Sequence, residues 1–488
     1  MNFKKIKEFF VEKNFFPIEK EDYVIMFFQI SLIILLTRQI NVFLSNILFI
    51  FFFLVLLYVI KKNFKKIKAL FLEKEDFLLA SFLFLCVFSL TRQFNFLFLS
   101  NLILVFFFCF SLFSLRIIFV NFMKSEKVIK KILFMNYFYL FALALYSLFV
   151  QQNSPYLVLR FGVILGLIHL CYFYPRRKYI VDIFLFLMII HAIYLIGFHI
   201  YLNFNPTAWI ERRVAYIYYG LGDVYTFNGW FFRIQILGNP LLPFAWFVTL
   251  IYPLQKKLKA IMLVLLTVGI IIAGNLTFWI VCALFLVAFL LLKYGGVYWK
   301  HVQNYGEKVK ENPKKLILPL SILGIVLITL TPFAYNYVMT TLSKKGEMSM
   351  PVRFDQLYVL ISNWTETWVT TLIGQGLGNT IDVVTQWRDY TGNFYFEMQS
   401  VYILNQVGIF YMTIFILTNL IFSLHFWKNK MIFLVYGMYL FYSSTNPYLF
   451  DMNHLLVIVI LNSMSAILNE KKGDLNGTLT NLWNRDSL

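Results

Sequence analysis

At 488 residues, with 60% hydrophobic and 14% charged positions and a mean hydropathy of +0.72, the chain is too apolar for a water-soluble globular protein and reads as a polytopic membrane protein. Its formal net charge of +19 is a signal of membrane topology and of attraction to anionic lipid, not of nucleic-acid binding.

The opening residues, MNFKKIKEFFVEKNFFPIEKED, are basic and amphipathic but lack an apolar stretch ending in a small-residue cleavage site, so no cleaved signal peptide is expected. Apolar runs follow near 22 to 37, 42 to 60, 77 to 91, 96 to 115, 132 to 150, 156 to 174 and 179 to 202. Others lie near 239 to 255, 260 to 274, 276 to 293, 316 to 334, 399 to 424, 431 to 443 and 453 to 468. Together they predict an all-α fold of about fourteen transmembrane helices, forming one helical domain over residues 1 to 488. The first four carry an internal repeat: NFKKIK occurs at 2 to 7 and 63 to 68, and EKED and TRQ recur 54 residues apart. This is a helical hairpin duplicated in one orientation, unlike the inverted halves of many secondary transporters.

Cationic clusters at 61 to 68, 124 to 131, 176 to 178, 256 to 259 and 293 to 315 fall on one side of these spans and place that side, with both termini and the 469 to 488 tail, in the cytoplasm. The external side collects Arg38, Arg92, Arg160, Arg212, Arg213, Arg233, Arg353 and Arg388 but only Lys344 and Lys345 among the lysines. Arginine grips phosphate through a planar fork, whereas lysine is a point charge, so a face that keeps arginine reads as a binding face. Arg38 and Arg92, in the duplicated turns, read as headgroup anchors. Cys86, Cys109, Cys171 and Cys282 are scattered through the spans and read as packing residues. His191, His199 and His454 are expected to be hydrogen-bonded structural groups.

Two external loops, 203 to 238 and 335 to 398, are long enough to carry function, while the cytoplasmic loops hold no phosphate-binding glycine motif. The first supplies Arg212, Arg213 and Arg233 among aromatic residues; with Arg388 they are candidates for pyrophosphate or sugar binding. Trp364 and Trp368, in the second, offer ring faces for sugars, although an interfacial aromatic belt also accounts for them. In MPVRFDQLYVLISNWTETWVTTLIG, Pro351 marks a helix start that puts Arg353 in the first turn, where the dipole adds to its charge. Pairing with Asp355 or with the lipid surface is the alternative. Glu397 stands at the outer lip of the next span, with Gly408 on the same helix face roughly 16 Å deeper. A partly desolvated carboxylate there suits a general base; a helix N-terminal charge is the plainer alternative.

Arg353 with Leu357 four positions on, the GQGLG run holding Gly374, Gly376 and Gly378, and Glu397 separated by ten residues from Gly408 together resemble the bacterial O-antigen ligase and polymerase family of polytopic glycosyltransferases. The resemblance covers chiefly residues 350 to 410 and the helical layout around them. The family's ligases carry a histidine where this chain has Glu397, and that histidine helps activate or position the acceptor hydroxyl, so the departure favours a polymerase. The resemblance implies transfer of oligosaccharide from undecaprenyl pyrophosphate to a second lipid-linked unit at the periplasmic face of the inner membrane. Arg353 would steady the leaving group and Glu397 would act as the base. Its implied partners are lipid-linked donor and acceptor, membrane lipids and a candidate chain-length regulator. No cofactor is expected, and since neither loop holds a D-x-D cluster, no metal either. A ligase is the nearest alternative; a lipid-linked oligosaccharide flippase is disfavoured by spans almost free of charge.

Overall fold

Nine of the fourteen expected spans coincide with helices in the computed structural model, which describes residues 47, 118–218, 222–226, 229, 231–311, 350–385, 389–392, 396–427, 429–444 and 446–470. The first four spans with their repeat, the span at 316 to 334 and the tail from 471 lie outside the described residues, as do Arg38, Arg92, Arg388, Lys344, Lys345, Trp230, Trp387, Cys86 and Cys109. The described helices are α1 Lys127–Phe149, α2 Pro155–Leu170, α3 Lys178–Phe204, α4 Ala208–Tyr218, α5 Leu241–Ile251, α6 Lys256–Ala273 and α7 Leu276–Glu311. They continue with α8 over 350–364, α9 Trp368–Ile373, α10 Gln399–Trp427, α11 Lys430–Ser444 and α12 Met452–Glu470. One antiparallel hairpin, β1 Gly222–Thr226 with β2 Phe232–Ile236, breaks the helical monotony.

Five of the helical segments, Lys127–Phe149, Pro155–Phe173, Lys178–Phe204, Leu276–Lys293 and Gln399–Leu424, are long and apolar enough to cross a membrane. The chain is a predominantly helical membrane protein. Burial differs sharply between helices of the bundle. On α7, Val287 and Leu291 are 57% and 66% exposed, a surface that only hydrocarbon would solvate well. The eleven-residue α5, by contrast, has Leu241, Leu242, Phe244, Ala245, Phe247 and Val248 wholly enclosed by α3, α6, α7 and α11. At about 1.5 Å per residue it is too short for a hydrocarbon layer of about 30 Å, so the span expected at 239 to 255 is instead a short core helix. A helix apolar on all sides is stable where protein surrounds it.

Tight connections reverse the chain repeatedly. Pro155 opens α2 at a position where a missing N–H costs nothing, Gly274 closes α6 in the left-handed region, and Asn275, Asn429 and Asp451 accept first-turn N–H bonds of α7, α11 and α12 at 3.1, 3.1 and 2.7 Å. Alternation of helix direction puts the 150–154 turn, the α4 and hairpin unit, and the start of α10 at one end of the bundle; call it the mouth. Lys256, Lys257, Lys259, Lys293 and Lys430 mark the other.

The first long loop is not structureless. Residues FRIQI alternate as strand residues do, and β2 pairs with β1 in the register Asp223 to Gln235, Val224 to Ile234 and Tyr225 to Arg233. The amphipathic α4 leans on β1, and its Tyr216 hydroxyl meets that of Tyr194 on α3 at 2.8 Å.

Candidate active site

The second loop folds around α8. Val352, Gln356 and Leu360, spaced four apart, form its inward stripe, while Arg353 and Leu357 stand on the flank, half-buried. Glu397 occupies the turn just ahead of α10, and the two elements meet there: Arg353 Nε donates to Glu397 Oε2 at 2.9 Å. The pair is partly open to solvent, with side chains 31% and 28% exposed. Arg353 therefore pairs with Glu397, the second candidate residue, and not with Asp355. Only Nε of the guanidinium is engaged among the described residues, which leaves its two Nη groups as a donor edge. A second bond runs alongside, from Met398 N to Gln356 Oε1 at 3.3 Å, so α8 fixes the position of Glu397 through backbone as well as charge.

Gly408 does not lie on one continuous helix face with Glu397, as the spacing suggested. Its φ of 67° and ψ of 175° break α10. The cause lies in the glycine run that follows α9. Gly374, at φ 92°, crosses the broken helix so closely that a Cβ on it would stand 2.3 Å from Gln406 O, and one on Gly408 would stand 2.3 Å from Leu372 O. Carbonyls that lose their helical partners at the break are satisfied by the crossing strand: Gln375 N donates to Asn405 O at 2.8 Å and Gly376 N to Gln406 O at 3.0 Å. Gly378 N donates to Gln406 Oε1 at 2.7 Å. The four motif glycines thus form one clamp, which the sequence offered only as a pattern.

Polar side chains seal the clamp from both sides. Leu377 N donates to Ser147 Oγ at 2.7 Å, and Asn153 Nδ2 donates to the carbonyls of Gln375 and Leu377 at 3.2 and 3.0 Å, tying the run to the end of α1. Asn405 Nδ2 reaches Leu360 O at 3.2 Å and Asn363 Oδ1 at 2.9 Å, tying α10 to α8. Gln375 Nε2 donates to Asn363 O at 2.7 Å. These amides were not singled out from the sequence. The signal was present in LNQVG, where two adjacent amides precede a glycine inside an apolar run, a costly choice unless each amide is bonded.

The remaining candidates make contacts of their own, apart from the Arg353 to Glu397 pair. Trp364 donates its indole N–H to Thr371 O at 3.1 Å and so joins α8 to α9, which opens on a capping box between Thr367 and Thr370. Trp368 presents a ring 74% exposed. Arg213 spends two donors on Asp223, Nε at 2.9 Å and Nη2 at 3.5 Å. Arg233 is buried on β2, with its aliphatic stem against Gly274. Arg212 lies half-buried on α4. These three arginines belong to the unit packed on α3 and α6, whereas Arg353 belongs to α8. Beyond the second loop's bend, the hydroxyl and the backbone N–H of Thr391 hold the Asp389 carboxyl below the usual carboxylate range, the backbone bond being 2.8 Å. His191 bonds to Asn239 at 3.0 Å, His199 to Phe232 O at 2.9 Å, and His454 to Tyr436 at 3.0 Å and Leu449 O at 2.8 Å, which matches their expected structural roles. Among the described residues no three His, Cys, Asp or Glu side chains gather as a metal site.

No family model, curated protein or solved structure matches the chain.

Proposed function

We propose that this chain is a membrane glycosyltransferase that polymerises undecaprenyl-pyrophosphate-linked oligosaccharide repeat units at the periplasmic face of a bacterial inner membrane. The observation that carries the reading is the Arg353 to Glu397 contact, in which two residues 44 apart in sequence share one partly exposed site at the mouth of the bundle. Arg353 is held by one nitrogen and keeps its Nη edge for a diphosphate, while the carboxylate beside it accepts protons.

In this reaction an acceptor sugar hydroxyl attacks the anomeric carbon of the donor glycan. A new C–O bond forms, the bond from that carbon to the pyrophosphate oxygen breaks, and the lipid pyrophosphate leaves with the bonding pair. Glu397 takes the hydroxyl proton, and Arg353 meets the negative charge that grows on the departing oxygen. The clamp of Gly374 and Gly408 serves this step indirectly, by fixing where Glu397 stands relative to α8.

The test uses purified full-length protein with a lipid-pyrophosphate-linked repeat unit in chelator, with and without a lipid A core acceptor. A ladder of products without the core supports polymerisation. Transfer to the core alone makes the protein a ligase, and movement of the substrate across vesicles with neither product makes it a transporter and overturns the proposal.

A further inference from the structure

Far from the mouth, α7 and α11 leave a groove of about 510 Å³ between them, lined by Leu284, Leu292, Phe433, Gly437 and Phe441 and ending at Lys430. Its floor is open at Gly437, where an added Cβ would meet nothing within 4 Å. From Lys430 to Phe441 the groove runs eleven residues of helix, about 16 Å, which is the depth of one leaflet of a hydrocarbon core about 30 Å thick. Charge appears at one end only. Lys430 is exposed and has no carboxylate within ion-pair distance among the described residues, and Lys293 follows Leu292 on the opposing helix, its ammonium 5.3 Å from the Phe289 ring centroid. Lys256, Lys257 and Lys259 crowd the same end of the bundle.

From this arrangement we infer that the groove is a binding site for one anionic phospholipid, with an acyl chain along α7 and α11 and the phosphate at Lys430. A cationic rim above an apolar slot one leaflet deep matches a lipid with a negative headgroup. The site is independent of the sugar chemistry proposed at the mouth and stands or falls without it.

Native mass spectrometry of the full-length protein from nanodiscs containing equal phosphatidylglycerol and phosphatidylcholine tests it. The wild type is expected to retain phosphatidylglycerol in preference, and Lys430→Gln to lower that preference about fivefold; an unchanged preference in Lys430→Gln overturns the site. Gly437→Trp, whose ring enters the slot, is expected to lose retained lipid of both headgroups with unchanged helical circular dichroism. Equal retention of the two lipids by the wild type, or full retention by a folded Gly437→Trp protein, overturns the site. So does a dimer that Gly437→Trp dissociates, since the groove would then belong to a second copy. Lys430 is exposed, so the result of its substitution stands even if the tryptophan variant fails to fold.

Discussion

The two long loops both carry arginine, yet its contacts differ between them. In the α4 and hairpin unit, Arg213 gives two donors to Asp223 and Arg233 is folded under Gly274, so the charge serves local architecture. Around α8, Arg353 gives a single donor to Glu397 and keeps the rest of its fork at the surface. The difference teaches that residue type and loop position do not fix how an arginine is used: the fold around each one decides how many of its donors are engaged, two for Arg213 and one for Arg353 among the described residues.

The comparison breaks most visibly if the clamp is removed. Gly408→Ala forces a Cβ into Leu372 O at a left-handed backbone position, and should cost about 3 kcal/mol or more of stability while abolishing any product ladder. Thermal unfolding in detergent reads this, and an unchanged transition would mean that the glycine crossing is not needed. Arg353→Lys sharpens the contrast next. Polymerisation should fall about 100-fold with an unaltered unfolding temperature, because a point charge cannot replace the fork; normal activity would remove Arg353 from the mechanism. Glu397→Gln keeps an oxygen acceptor for the Arg353 Nε and so separates proton transfer from tethering: a drop of about 100-fold identifies the base, and near-normal turnover a tether. Asn405→Leu removes a donor from the buried Leu360 carbonyl and from the half-buried Asn363 Oδ1 and should cost about 2 kcal/mol, measured as a denaturant midpoint shift. The smallest effect belongs to the other loop. Arg213→Ala breaks an exposed ion pair and should change stability by less than about 1 kcal/mol and the ladder hardly at all.

Much of the helical frame was legible because long apolar runs and lysine-marked reversals leave few alternatives, as at Lys178–Phe204 and Lys256–Ala273. Hydropathy sees composition and not neighbours, which is why Leu241–Ile251 read as a membrane span although it is a short helix wrapped by protein. Arg353 and Glu397 were each singled out for separate reasons, and their contact depends on chain closure across 44 residues that no local pattern encodes. Gly408 was placed on an unbroken helix, since its positive φ is imposed by a distant partner, Gly374. The hairpin escaped notice for a simpler reason: five-residue strands give a weak signal inside a loop expected to be irregular.

The interruption at Gly408 also has a mechanical side. Below it, α10 is anchored by Asn419, whose side chain bonds to Tyr172 at 2.9 Å and to Tyr436 at 2.8 Å, while above it the segment 399 to 407 is held by a separate set of partners: the clamp, α8, Phe161 of α2 and, through Ser400, the end of α11. Because no continuous ladder of backbone bonds joins the two parts, a tilt at the Glu397 end is not levered into the anchored half. The two halves of α10 are thus positioned by separate sets of side chains, and the interior of the bundle does not depend on the outer half for its register.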